Sequence, residues 1–410
     1  MRPVTAVVLG AGSRGSTYAG YAKEYPQELQ IVAVAEPRTD RRDILGDQFE
    51  IPEANRFADW KDLLKCPRMA DCAFVCTLDD DHTEPVLRAM ELGYHVLLEK
   101  PMSNTEAECC AIVEAANKAG VTLSVCHVLR YTPFFMTLKK LIDQGNIGDV
   151  SAINQIENVG YWHQAHSFVR GNWRTVRETS PMILQKSCHD MDIILWLMGK
   201  NCRRVHSFGS LRHFSPENAP EGAPERCLDG CSHAGSCPYY APALYLDMNR
   251  TGWPVDVITT DLSEQGRRKA LEEGPYGRCV YHCDNDVVDR QVVNLEFDGG
   301  AVATFTMTGL SADFCRQLKI FGTQGQIEAN MGTNQIVLHR FGEEKRCIPV
   351  EADAHTSGHG GGDYGIIRDF VRILRDGGES RSSAQISLQS HLICFAAEKS
   401  RKEHVVVDLP

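Results

Sequence analysis

The chain has 410 residues, 43% of them apolar and 24% charged, which is ordinary folded-protein composition at a length that suits two domains. A net charge of −11, with no basic stripe and no interleaved basic and aromatic residues, argues against nucleic acid or an anionic membrane as partner. No apolar run reaches the length of a membrane span and no secretion signal precedes the first strand, so the sequence reads as cytoplasmic and its 16 cysteines as mostly reduced.

Near the N-terminus, the apolar run at residues 5–9 leads directly into Gly10-Ala11-Gly12-Ser13-Arg14-Gly15, a GxGxxG. A helix-compatible stretch follows at 16–24, then a second apolar run at 31–35 that ends on Glu36. Strand, glycine turn, helix, strand and acid in this order read as a dinucleotide site. The first glycine makes the tight turn, the second lets backbone approach a pyrophosphate, and the third lets the helix pack on the strand. N–H groups at the helix start, where Ser13 and Arg14 lie, hold phosphates with the help of the dipole. Glu36 is placed to accept from ribose hydroxyls and to repel a 2′-phosphate, which favours NAD(H) over NADP(H). Arg38, two residues on, softens that preference.

A polar helix is expected at 40–49 and a buried strand at 72–77, delivering Thr77 to the acidic turn Asp79-Asp80-Asp81-His82. The strand after the next helix, 94–98, runs into Glu99-Lys100-Pro101. Carboxyl ends of parallel strands open onto the ligand crevice. Proline cannot extend the ladder and holds the residue before it extended. Lys100 is therefore a charged group held at the crevice rim. A helix at 104–119 and a strand at 122–126 complete a doubly wound, mostly parallel sheet over residues 1–127. Its candidate cofactor contacts are Gly10, Gly12, Ser13, Arg14, Gly15, Glu36, Arg38, Thr77, His82, Glu99 and Lys100.

From residue 128 to 410 the pattern differs. A helix at 133–144 stops at Gly145-Asn146-Ile147-Gly148. The strands beyond it alternate instead of running solid: 149–157, 205–208, 291–297, 301–309, 316–322, 326–329, 335–340 and 346–350, with Asp298-Gly299-Gly300 as a hairpin turn. This predicts an α+β domain with a large, mostly antiparallel sheet, one face packed and one open. An open face of that size suits a homodimer or homotetramer. Two closing helices are expected at 363–376 and 387–402.

Residues 185–198 fit a helix ended by Gly199. On such a helix His189 and Asp192 lie one turn apart, with Lys186 one turn before His189 on a shared face. Removing a hydride from a secondary alcohol requires a base for the hydroxyl proton, and histidine titrates in the right range. A nearby lysine polarises the oxygen or relays the proton. Sugar rings stack their C–H face on aromatic rings and need donors and acceptors for their hydroxyls. Candidate substrate contacts are therefore Trp162, His163, His166 and Arg174, together with Lys100, Lys186 and His189. The loop from His359 to Asp363 is placed to close on the site.

The glycine loop, the Glu-Lys-Pro strand end, the Gly-x-Ile-Gly turn and a His-x-x-Asp helix leading to Trp196-Leu197 resemble the signature series of the glucose–fructose oxidoreductase / inositol dehydrogenase / MocA (Gfo/Idh/MocA) family. The resemblance spans essentially the whole chain. It implies a Rossmann domain followed by an α/β domain with an open sheet, and oxidation or reduction of sugars, inositols or polyols with NAD(H) or NADP(H). It also implies that Lys100 and His189 are the catalytic pair and that Arg130 and Tyr131 contact cofactor or substrate. One position departs: family members usually carry an aspartate four residues before the histidine, and here it is Gln185, beside Lys186. Glutamine cannot take a proton, so proton transfer falls to His189, helped by Lys100 or Lys186.

Residues 214–286 form a Pro- and Gly-rich insertion with Cys227, Cys231, Cys237, Cys279 and Cys283. A loop-rich segment without its own core calls for a staple, and structural zinc on these thiolates leads an iron–sulfur cluster, with free thiols an open alternative. The function expected is hydride transfer between NAD(H) and a carbinol carbon of a sugar, glycoside or polyol. The alternative is glycoside cleavage: transient oxidation acidifies the neighbouring C–H, elimination breaks the glycosidic bond, and NAD is recycled. A nucleotide sensor without turnover is disfavoured by the presence of both Lys100 and His189.

Overall fold

A computed structural model describes residues 2–351 and 358–410. Six strands near the N-terminus, β1 (Val4–Leu9), β2 (Leu29–Ala35), β3 (Arg56–Phe57), β4 (Cys72–Val75), β5 (His95–Leu98) and β6 (Leu123–Val125), form one sheet in the order β3-β2-β1-β4-β5-β6. Every pair is parallel. The chain winds outward from β1 in one direction and then, from β4, in the other. The point of reversal is where such sheets bind ligands. Both faces are covered: Val7, Val75 and Leu98 bury into one core, and Val8, Phe74 and Leu97 into another. That is why the strands read as solid apolar runs.

Two glycines of the first loop are sterically required. Gly10 has φ +92°, and a Cβ there would lie 2.5 Å from the Cys76 carbonyl oxygen. A Cβ on Gly15 would lie 2.0 Å from the Gly10 carbonyl oxygen. Overpacking of this kind costs about 1–3 kcal/mol. Gly15→Ala is expected to lower the denaturation midpoint accordingly and to weaken NADH binding, read by fluorescence titration.

The second sheet has nine strands: β7 (Val150–Asn158), β8 (Cys202–Ser210), β9 (Arg290–Phe297), β10 (Val302–Thr308), β11 (Cys315–Gly322), β12 (Gly325–Asn330), β13 (Gln335–Arg340), β14 (Arg346–Ile348) and β15 (Val407–Asp408). Their order is β14-β13-β12-β11-β7-β10-β9-β8-β15, and every pair but β10–β7 is antiparallel. The inner face packs on the helices Cys188–Met198 and Ala384–Glu403. The outer face leaves Ile156, Phe208, Val292 and Val302 exposed. Among the described residues no helix is long and apolar enough to cross a membrane.

Two local expectations are corrected. Lys186 and His189 do not share a helix: Met182–Gln185 ends before Lys186, and Cys188–Met198 begins after Ser187, whose φ −94° and ψ 4° break the run. The break sends Lys186 to a carboxylate of β7 while His189 stays on the second helix. Residues 161–170, assigned no element from the sequence, form a helix at Tyr161–His163 continuing as a π-helix at Gln164–Arg170.

The second correction concerns the insertion. It has a core of its own around Ala241, Tyr245, Val255, Leu271 and Tyr276, and a second cluster of Phe214, Tyr239, Val280 and Tyr281 that it shares with Ala165 and Val169. Arg267 is fully buried and ties three carbonyls together, those of Leu262 at 2.8 Å, Tyr245 at 3.3 Å and Asp247 at 3.0 Å. Cys227, Cys231, Cys237 and Cys279 line one small cavity, and the Cys283 thiol donates to the Cys279 carbonyl at 3.2 Å. Burial pushes the Cys237 and Cys279 thiols up and Cys283 up to about 11. Among the described residues no group of three or more Cys, His, Asp or Glu is placed to hold a metal ion. The zinc staple thus finds no support among the described residues, where aromatic packing and Arg267 hold the segment.

Candidate active site

The crevice opens at the carboxyl ends of β1, β4 and β5. Glu36, at the end of β2, is buried and its carboxylate accepts from the Ala11 N–H at 2.8 Å and the Arg38 N–H at 3.0 Å. The Arg38 guanidinium is held by Asp40 at 2.7 Å. Gly12 is the N-cap of the helix Ser13–Glu24, with no side-chain cap and no acid in the first turn. Those N–H groups, the close backbone at Gly10 and Gly15, and the carboxylate of Glu36 suit the pyrophosphate and ribose of a dinucleotide. Arg41 comes within 3.5 Å of where a Gly12 Cβ would sit, a basic neighbour that sequence spacing did not single out.

Arg14 turns toward the other side. It donates to Glu99 at 2.8 Å, Asp363 at 2.6 Å and the Tyr18 hydroxyl at 2.6 Å. It thereby ties the end of β5 to the helix Gly362–Asp376. Glu99 also accepts from the Tyr18 hydroxyl at 2.6 Å and the Lys100 N–H at 2.7 Å. Burial raises its pKa, but Arg14 and Lys100 outweigh that and hold the carboxylate below its ordinary value. His82 fastens the neighbouring loops, with Nδ1 2.7 Å from the Pro101 oxygen and Nε2 3.2 Å from the Thr77 oxygen. The Thr77 hydroxyl itself donates to the Asp81 carbonyl at 2.7 Å. Sequence-expected neighbours of a cofactor therefore surround Lys100 from both sides.

Lys100 Nζ donates to the Gln185 carbonyl at 2.6 Å. The residue that replaces the family aspartate orients the lysine through its backbone. His189 lies beyond it, buried, with Nδ1 lacking any hydrogen-bond partner. Burial, then Lys100, His127 and His359, push its pKa well below the ordinary histidine value. The imidazole is neutral at neutral pH and can accept a proton.

Lys186 Nζ is 3.6 Å from Glu157 Oε1 and 5.3 Å from the centre of the Phe314 ring. Burial lowers it to about 8 and raises Glu157 to about 7. Behind them Arg316 Nε sits 3.0 Å from Glu157 and 2.8 Å from Asp190. An aromatic wall stands alongside. His163 meets Trp253 and Phe314 with ring centres 5.0 Å apart, and Trp162 stacks on His163 at 5.7 Å. His166 bonds the Tyr245 hydroxyl at 2.7 Å and stacks on Tyr276 at 4.8 Å. Trp253, Tyr245 and Tyr276 come from the insertion.

Three sequence candidates are committed elsewhere. Arg130 grips Asp192 with two nitrogens, at 2.7 and 2.8 Å, and gives its third to the Arg381 carbonyl at 2.9 Å. Asp192 is thus the partner of Arg130, not of His189. The Tyr131 hydroxyl bonds Ser382 at 3.1 Å inside the core. Arg174 binds Asp284 at 3.0 Å and holds the insertion. Glu157, Arg316, Asp190 and Trp253 were missed. For the first two a signal existed: each is a charged residue at an inward position of an alternating strand. Trp253 had no periodic context.

Residues 4–127 match an oxidoreductase family's NAD-binding Rossmann fold, and residues 139–409 match the same family's C-terminal alpha/beta domain. The chain belongs to the Gfo/Idh/MocA oxidoreductase family. YteT of Bacillus subtilis (strain 168), named as an oxidoreductase, is 26% identical over 315 residues, 73% of this chain and 72% of YteT. The 2,7-anhydro-N-acetylneuraminate hydratase of Escherichia coli (strain K12) is 30% identical over 156 residues, 38% of this chain and 41% of that one. Thus the chain matches less than half the length of the hydratase. A solved levoglucosan dehydrogenase, in complex with NADH and L-sorbose, shares the fold with a TM-score of 0.76 at 19% identity over the full length of both chains.

Proposed function

We propose that the protein is an NAD(H)-dependent oxidoreductase that transfers a hydride between nicotinamide and a carbinol carbon of a sugar, glycoside or polyol. The observation that carries this reading is Lys100, anchored on the Gln185 carbonyl and next to the Glu99 that Arg14 of the glycine loop binds, whose charge helps keep the buried His189 neutral. In the oxidising direction His189 takes the hydroxyl proton, and the Lys100 ammonium stabilises the oxygen as it becomes a carbonyl. The Gln185 carbonyl aims Lys100, and Lys186 supports it as a second cation. When bound, the nicotinamide ring supplies the hydride acceptor. Glu36 supports NAD(H) over NADP(H), since a 2′-phosphate would meet its carboxylate and like charges so placed cost several kcal/mol.

The test incubates purified protein with NAD⁺ or NADP⁺ and a panel of sugars, glycosides and inositols, following reduced cofactor. Stoichiometric NADH from at least one sugar is expected, with kcat/KM for NAD⁺ about tenfold or more above that for NADP⁺. Failure to bind NADH, or no reduction with any member, would sink the reading.

A second reading is supported by Lys186 and Glu157, an extra acid–base pair whose members are both pushed toward neutral pH. Such a pair suits removal of the proton beside a transient ketone, and hence glycoside cleavage with cofactor recycled. The hydratase relative bears a name for a net reaction without redox change. Sugar release without NADH accumulation, and deuterium uptake from D₂O at the adjacent carbon, would mark this route. The exposed apolar row on the outer sheet face supports assembly as a homodimer or homotetramer.

A further inference from the structure

A second pocket, about 790 Å³ including its open mouth, adjoins the aromatic wall. It lies between the helix carrying Trp162 and the inserted segment. Its volume is in the ~300–1,000 Å³ range of small-molecule sites. Tyr161, Trp162, Tyr239 and Tyr240 line it, with Arg170 and Arg250. Trp162 belongs to both sites, since its ring also meets Trp253 at 5.3 Å and Phe314 at 5.7 Å. The loop that supplies Ala312 to the pocket places Phe314 against Lys186 two residues later. The pocket therefore shares the Trp162 wall with the candidate site.

Its chemistry is that of a sugar site. Aromatic faces take the C–H face of a ring, and guanidinium groups take its oxygens. Arg170 is 2% exposed and makes no ion pair among the described residues. Its donors go to the Arg278 carbonyl at 2.7 Å, the Tyr239 carbonyl at 2.8 Å and the Cys227 sulfur at 3.6 Å. Arg250 stands at the rim, 3.3 Å from Asp247. Tyr239, Tyr240 and Arg250 all belong to the insertion.

We propose that this pocket is an outer subsite for the second ring of a glycoside. The substrate is then a saccharide of at least two rings. Its reacting ring lies at Lys100 and His189, and its neighbour stacks among Tyr161, Trp162 and Tyr240 with its polar edge toward Arg250. This rests on the sugar-oxidoreductase reading above.

The experiment compares methyl β-glucoside and methyl β-galactoside with cellobiose and lactose, in wild type, Tyr240→Ala and Arg250→Ala, with NADH titration checking that each variant is folded. Saturation-transfer NMR on the NADH-bound protein reads binding separately from turnover. A disaccharide is expected to show kcat/KM about tenfold above its methyl glycoside, the contribution of one stacked ring, and that ratio falls toward one in both variants. Protons of both rings should receive saturation in wild type, and the outer ring should lose it in Tyr240→Ala. Outer-ring binding without turnover of any saccharide keeps the subsite and fails the oxidoreductase reading. Equal kcat/KM for one and two rings, saturation confined to one ring, or no saccharide binding at all overturns the subsite.

Discussion

Lys100→Ala is expected to cut kcat by about 10²–10⁴-fold, the range for loss of a positioned acid–base group, while NADH affinity stays within about twofold. The lysine reaches the crevice from the end of β5, and its ammonium is anchored on the Gln185 carbonyl at 2.6 Å. Removing it takes away the cation beside the reacting oxygen but leaves the glycine loop and Glu36 untouched. Lys100→Arg is expected not to rescue, because a planar fork cannot replace a compact ammonium at that anchor. The pH profile adds an independent check. His189 is held well below its ordinary value by burial and by Lys100. It stays unprotonated in mild acid, so kcat should show no inflection near the ordinary histidine pKa of ~6.5. Steady-state kinetics and NADH titration decide both points; a variant with near-normal kcat would remove Lys100 from the chemistry.

Arg316→Met should be the most damaging change outside the reacting pair. Arg316 is buried between Glu157 and Asp190, and both carboxylates are buried as well. Removing one member of a buried charge network costs about 3–5 kcal/mol, because the remaining charges have no water to turn to. The effect depends on pH. Burial raises Glu157 in the folded state to about 7, above its ordinary value of 4.5, so the folded protein favours the protonated form. Stability from that proton is present below the unfolded-state value and is lost as pH rises through the folded-state value. Without Arg316 the folded-state value rises further. The deficit should be smallest near the unfolded-state value and grow toward and above neutrality. Urea denaturation across that range measures it. Adding Glu157→Gln and Asp190→Asn to Arg316→Met should recover part of the loss, since neutral amides are cheaper to bury than lone carboxylates. No recovery would show that Arg316 acts through packing alone.

How much was legible depended on whether a signal was local. The glycine loop was, because its steric demands fall on neighbours in the chain: Gly15 must approach Gly10, five residues away. The solid and alternating strands were too, because burial on two faces or on one writes a pattern into successive residues. The helix around His189 was misread at one point, since nothing in residues 185–190 signals the break at Ser187. Arg130 and Arg174 looked like ligand contacts because any arginine near a site does. Their partners, Asp192 and Asp284, lie 62 and 110 residues away. The insertion was misread for a related reason. Its buried residues between 214 and 281 share no period, so it looked coreless.

The sequence by itself determined the two-domain plan, the dinucleotide loop, the family and the prominence of Lys100 and His189. Each is carried by short motifs or by a repeat of two residues. Tertiary structure alone decided which charges meet: Lys186 with Glu157, Arg316 with Asp190, Arg14 with Glu99 and Asp363. It also decided that the insertion lends Trp253 to the wall of the site and Tyr240 to the pocket beside it. Coulomb interactions and ring packing act through space over a few ångströms, without regard to separation along the chain.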